Sequence, residues 1–146
     1  MWKARIIVST LLLLLALMPL QSAQDAPKST QDPNAERHGL ILGLVRAINT
    51  IEVIEVTEYG AYAPWPILLA HHQDDFNGWL KRFYSSVEPN TRFGDMPEIL
   101  PGWNLRLNVQ ADGNDYVLLL DDSNDKAGFA WVSDESGVIR QCKALQ

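Results

Sequence analysis

Apolar side chains recur at Leu40, Ile41, Leu44, Val45, Ile48, Ile51 and Ile54, three or four residues apart, which is the spacing of one face of an α-helix. Asp32 supplies a capping carboxylate, Pro33 suits the first helical position, and Glu36 lies in the first turn, where the helix dipole favours negative charge. Gly60 is a stop signal, so the pattern predicts a helix over 33–59. The β-branched run Ile51-Glu52-Val53-Ile54-Glu55-Val56 belongs to that helix because its charges recur every third residue, not every second. After an irregular turn at 61–65, Pro66 opens a second helix over 66–86, in which Phe76, Trp79, Leu80 and Phe83 follow the i, i+3, i+4, i+7 rule. Pro89, Asn90, Gly94, Pro97, Pro101 and Gly102 then break any period, and 88–102 reads as a loop.

From Trp103 the period changes to two. Trp103, Leu105, Leu107 and Val109 alternate with Asn104, Arg106, Asn108 and Gln110, as in a strand with one wet face. Turn chemistry at 111–115, an apolar strand at 116–120, a polar loop at 121–128 and two further strands at 129–133 and 138–142 complete a meander. The fold class expected is α+β: a long N-terminal helix plus a second helix packed on a four-stranded antiparallel sheet.

The chain before the first helix changes the picture of where this domain goes. Trp2-Lys3-Ala4-Arg5, the apolar run 6–20 and the small-residue close Gln21-Ser22-Ala23 are the three parts of a secretory signal. The run contains Ser9, Thr10 and Pro19 and is shorter than the roughly 18 residues of a spanning helix. Cleavage after Ala23 is expected, giving an exported protein, periplasmic or extracellular, without stable membrane insertion. The organisation expected is a signal peptide over 1–23, a polar leader over 24–31 and a single domain over 32–146. Twelve basic residues against eighteen acidic give a net charge of −6; losing Lys3 and Arg5 with the signal leaves ten against eighteen, or −8. Nucleic acid is thereby excluded as a partner class, because phosphate contact needs a basic surface. Cys142 is the only cysteine, so no internal disulfide forms. It reads as a small apolar filler of the last strand, with an intermolecular disulfide as the alternative.

Two groups of residues carry a resemblance. Arg46-Ala47-Ile48-Asn49-Thr50-Ile51-Glu52 followed by Glu58-Tyr59-Gly60-Ala61-Tyr62-Ala63-Pro64, and then Pro101-Gly102-Trp103-Asn104-Leu105 with Gly128-Phe129-Ala130-Trp131-Val132-Ser133-Asp134-Glu135-Ser136-Gly137-Val138-Ile139, resemble type IV pilin-like and pseudopilin-like proteins. The resemblance spans about 34–64 and 101–140 and implies a long helix laid across an antiparallel sheet. The apolar run begins Ile6-Ile7-Val8-Ser9-Thr10-Leu11 and lacks the prepilin Gly leader and the Phe-Thr-Leu-Ile-Glu start that build a filament core. What it implies is therefore a globular pilin head released from its assembly helix, non-catalytic, acting through a protein partner, self-association or envelope structure. A membrane-retained minor subunit and a small periplasmic ligand-binding or hydrolytic domain are the alternatives.

Few residues look chemical. His71 and Asp75 stand one helical turn apart and could share a metal, but zinc needs three or four ligands and His38 lies in another helix. An exposed His71–Asp75 pair, with His72 bordering the core, is the plainer reading. Asp121, Asp122, Asn124 and Asp125 form an oxygen-rich loop of a kind that suits calcium, yet Lys126 and Val132 stand where an EF-hand has Gly and Glu. Some pseudopilins bind calcium in their β-region; a solvated hairpin loop is the expectation here, with no cofactor. Glu52, Glu55 and Glu58 read as a wet helix face rather than an acid/base pair. Ser22 and Ser136 lack the setting of a nucleophile, and no phosphate-binding glycine loop occurs. Trp65, Trp79, Trp103 and Trp131 read as core, Trp65 being the least buried because it sits beside a proline turn.

Overall fold

A computed structural model of the protein describes residues 34–85 and 90–143, all within the compact unit Pro33–Gln146. The expected signal, the leader and the Asp32-Pro33 helix start lie outside the described residues. Helix α1 covers Ala35–Tyr59 and ends where Gly60 adopts φ 85°, its N–H donating to Val56 O. Ile41, Leu44, Val45, Ile48 and Ile51 are buried along it, as the spacing predicts, but Ile54 is 36% exposed. The stripe instead continues through Glu52 and Glu55, because a straight helix at 3.6 residues per turn carries positions 41, 45, 48, 52 and 55 down one face.

The second helix is not continuous. It divides into α2 (Trp65–His71) and α3 (Gln73–Trp79), with His72 between them at φ −116° and ψ 32°. A π-turn over Leu80–Tyr84 follows, and Ser85 N–H reaches back to Leu80 O. An i→i+5 turn inserts one residue relative to an α-helix. The apolar face therefore arrives at Tyr84, 5% exposed, and the expected core residue Phe83 is 47% exposed.

The sheet has five strands in the order β1-β2-β3-β4-β5, all neighbours antiparallel, one more than the sequence pattern predicts. They are β1 (Glu98–Leu100), β2 (Trp103–Val109), β3 (Tyr116–Asp122), β4 (Phe129–Asp134) and β5 (Arg140–Lys143). The extra strand β1 lies in the stretch expected to be loop. Pro101-Gly102, which looks like a breaker, is the two-residue centre of a tight turn, with Gly102 at φ 75° and Leu100 opposite Trp103. The architecture is α+β. α1 packs on one face of the meander against Leu105, Leu107, Leu118, Leu120 and Phe129, all within one core. Trp65 closes that core from α2, fully buried, against the expectation that it is the least buried tryptophan, and its Nε1–H donates to Gly94 O at 3.0 Å.

Candidate functional site

Three polar arrangements stand out against the apolar core. At the N-terminal end of α1, Arg37 Nη2 donates to Asp122 Oδ1 at 2.9 Å and to Gly102 O at 3.2 Å. The same aspartate oxygen accepts the Asn124 N–H at 2.9 Å, and His38 Nε2 lies 3.5 Å from the other oxygen. The His38 ring stacks on Phe129 with centroids 3.5 Å apart. This fork ties the start of α1 to the turn after β1 and to the end of β3.

The loop that suited calcium is taken apart by strand geometry. Asp121 and Asp122 are consecutive on β3, so they point to opposite faces of the sheet. Asp122 is buried under Arg37, whereas Asp121 accepts from Asn104 Nδ2 at 3.2 Å and lies 3.7 Å from Arg106. Asp125 Oδ1 accepts the Ala127 N–H in the following turn, and the Asn124 side chain is exposed. Among the described residues no group of three or more His, Cys, Asp or Glu is placed to share a metal ion.

The third arrangement is the one the sequence pattern misreads. Glu52 and Glu55, expected on a wet face, are 0% and 2% exposed; only Glu58 of that ladder is exposed. Both oxygens of Glu55 are engaged: His71 Nδ1 lies 2.9 Å from Oε1 and His72 Nε2 lies 2.8 Å from Oε2. His71 thus turns to α1 rather than to Asp75, and Asp75 Oδ2 lies 3.6 Å from His72 Nδ1. One turn back along α1, Glu52 Oε2 accepts the Ala63 N–H at 3.1 Å, while Oε1 is buried without a hydrogen-bond partner among the described residues. Burial, reinforced by the Glu55 charge, pushes the Glu52 carboxyl up from 4.5 to about 7. Tyr59 covers the outer side, its ring 4.8 Å from that of His71. A cluster of this kind can hold, release or relay protons; no hydroxyl or thiol nucleophile touches it among the contacts described.

Two further features concern ligands and partners. A groove of about 760 Å³ runs between α2–α3 and the segment before β1, lined among others by Leu69, Gln73, Asn77, Lys81, Arg92 and Phe93. On the sheet, the residues opposite the α1 face include Val117, 50% exposed, and the half-buried Leu119, Val132 and Cys142, with Arg106 and Arg140 on either side. No protein-family model, no curated protein and no solved structure matches the chain.

Proposed function

We propose that this chain is an exported, non-catalytic domain of the pilin-like kind that acts by protein–protein contact or as part of the cell envelope. The observation that carries the reading is the one-sided sheet. α1 covers one face, and the other keeps an apolar centre of Val117, Leu119 and Val132 among polar neighbours, the anatomy of a small contact surface. The spent chemistry supports it as well: Asp122, Glu55, His71 and His72 are engaged in contacts between elements rather than grouped around a nucleophile. Intact mass of the protein from the soluble and membrane fractions of its host tests the reading. A soluble species starting near Gln24 is expected; a membrane species that keeps 6–20 overturns the free form in favour of an anchored subunit. Val117→Glu should then leave the fold intact and abolish co-purification with whatever the wild type retains.

The groove favours a second reading, a small-ligand domain. Its described lining carries the cations Lys81 and Arg92 and no carboxylate, in a chain whose net charge is −6. A small carboxylate-bearing molecule is the ligand class that fits. Titration with glucuronate, followed by amide chemical shifts, should perturb Leu69, Gln73, Asn77, Lys81, Arg92 and Phe93 in the wild type and leave Leu69, Gln73, Asn77 and Phe93 unperturbed in Lys81→Gln/Arg92→Gln; unperturbed wild-type shifts remove this reading.

A further inference from the structure

We propose that Glu52, Glu55, His71 and His72 form a pH-sensitive latch, which holds the α2–α3 pair against α1 in mildly acidic solution and loosens as the solution becomes neutral and then alkaline. The latch is a place where two separately anchored pieces meet. On one side, α1 is fixed to the sheet through Asn49, whose Nδ2 donates to Ser133 Oγ and whose Oδ1 accepts from Tyr116, and through the Arg37–Asp122 fork. On the other, the His71-His72 corner meets α1 through the two contacts to Glu55.

The protonation logic follows from what each group can donate. An ionised carboxylate only accepts, so each histidine must present an N–H to Glu55, and a neutral ring can do so by placing its one proton on the facing nitrogen. A charged His72 gains a second N–H at Nδ1, aimed at Asp75 Oδ2 3.6 Å away. Protonation of His72 therefore adds a contact to the corner without removing one. Rising pH acts on Glu52, because its orphan Oε1 carries a proton in the neutral form and a buried, unpartnered negative charge in the ionised form. Once Glu52 ionises, the cluster holds the Glu52 and Glu55 carboxyls on one face of α1, and no lysine or arginine reaches either among the described contacts.

The other titratable groups facing the cluster do not supply a cation. Tyr59 comes from α1 itself, Tyr62 from the connection, Asp75 from α3 and Tyr116 from β3. The Tyr116 phenol is raised by burial and by the Glu52 charge, so it stays protonated, and Asp75 adds a further negative charge. The corner gives way rather than α1, because His71 lies at the rim with its side chain 38% exposed and admits water there. These helices also carry Leu69, Gln73 and Asn77 of the groove wall, so the latch sets whether that wall stands.

Amide hydrogen exchange on the intact protein tests the latch, with protection factors corrected for the intrinsic rate at each pH. Protection at Leu68, His72 and Phe76 is expected to fall about tenfold or more from about pH 6 to about pH 8.5, and to stay below that of Leu118 and Leu120 in β3, which exchange by global unfolding. In Glu52→Gln, which keeps the shape and cannot ionise, the fall should vanish. Protection that does not change with pH in the wild type, or an equal fall in Glu52→Gln, overturns the proposal. Should that variant not fold, the carbon-13 titration of the Glu52 carboxyl in the wild type decides. A midpoint near neutrality upholds the latch, and titration alongside ordinary carboxylates sinks it.

Discussion

Single residues carry several of the consequences. Glu52 is raised from 4.5 to about 7, so its neutral form is the one the fold favours. A group raised in the folded state contributes stability that is fully present below the unfolded value and is lost as pH rises through the folded value. The loss attributable to Glu52 therefore falls between about pH 4.5 and about pH 7, and at 1.36 kcal/mol per unit it amounts to about 3 kcal/mol. Urea titrations of wild type and Glu52→Gln should show a stability difference that grows by up to this amount across the window and is flat elsewhere. Asn49 is the second such residue, since it joins α1 to both β3 and β4 from a site only 8% exposed. Asn49→Leu strands the Tyr116 hydroxyl and the Asn49 side of Ser133, and should lower stability by about 2–3 kcal/mol in the same titration. None of this is visible locally in the chain: the partners of Glu52 and Glu55 stand 11, 16 and 17 residues away, beyond any helical spacing. A glutamate among β-branched residues, such as Glu55, looks solvated until the histidines that satisfy its oxygens are folded beside it.

At the scale of elements, the sequence pattern is right where one period runs uninterrupted and wrong where backbone geometry changes mid-segment. α1, β2 and β3 follow their periods closely, because each buries one face against a single neighbouring layer. The second helix fails at its end: the π-turn advances the buried face by one residue, from Phe83 to Tyr84. Paired alanine substitutions separate the two registers. Tyr84→Ala should cost about 3 kcal/mol, whereas Phe83→Ala should stay within about 1 kcal/mol, read from denaturation midpoints. The β1–β2 hairpin was open to recognition from its own residues, since Leu100-Pro101-Gly102-Trp103 places Pro and Gly at the two centre positions of a tight turn between apolar neighbours. Gly102 has no tolerant substitute: φ is 75°, and a Cβ there would run into the side chains of Asn124 and Arg37. Gly102→Ala should lower stability by about 2–3 kcal/mol and weaken the Arg37 fork with it, which the thermal midpoint reports.

For the molecule as a whole, β3 is the central strand, paired on both sides and carrying Leu118 and Leu120 at 0% exposure, so its amides should exchange most slowly and track global unfolding. No helix among the described residues is long and apolar enough to cross a membrane. What the sequence by itself determined was the α+β class, the helix-then-sheet order, the limits of α1 at Gly60 and the alternation of β2. All of these depend on neighbours a few positions away, and hydrophobic period and turn chemistry encode such neighbours directly. Only the tertiary structure decided that Asp121 and Asp122 serve opposite faces, that Trp65 seals the core, that a π-turn re-aims the second helix, and that Glu52 and Glu55 lie buried against two histidines. Each of those outcomes depends on which groups packing brings together from distant parts of the chain. A charged or polar side chain carries no local mark of whether water or a buried partner will satisfy it.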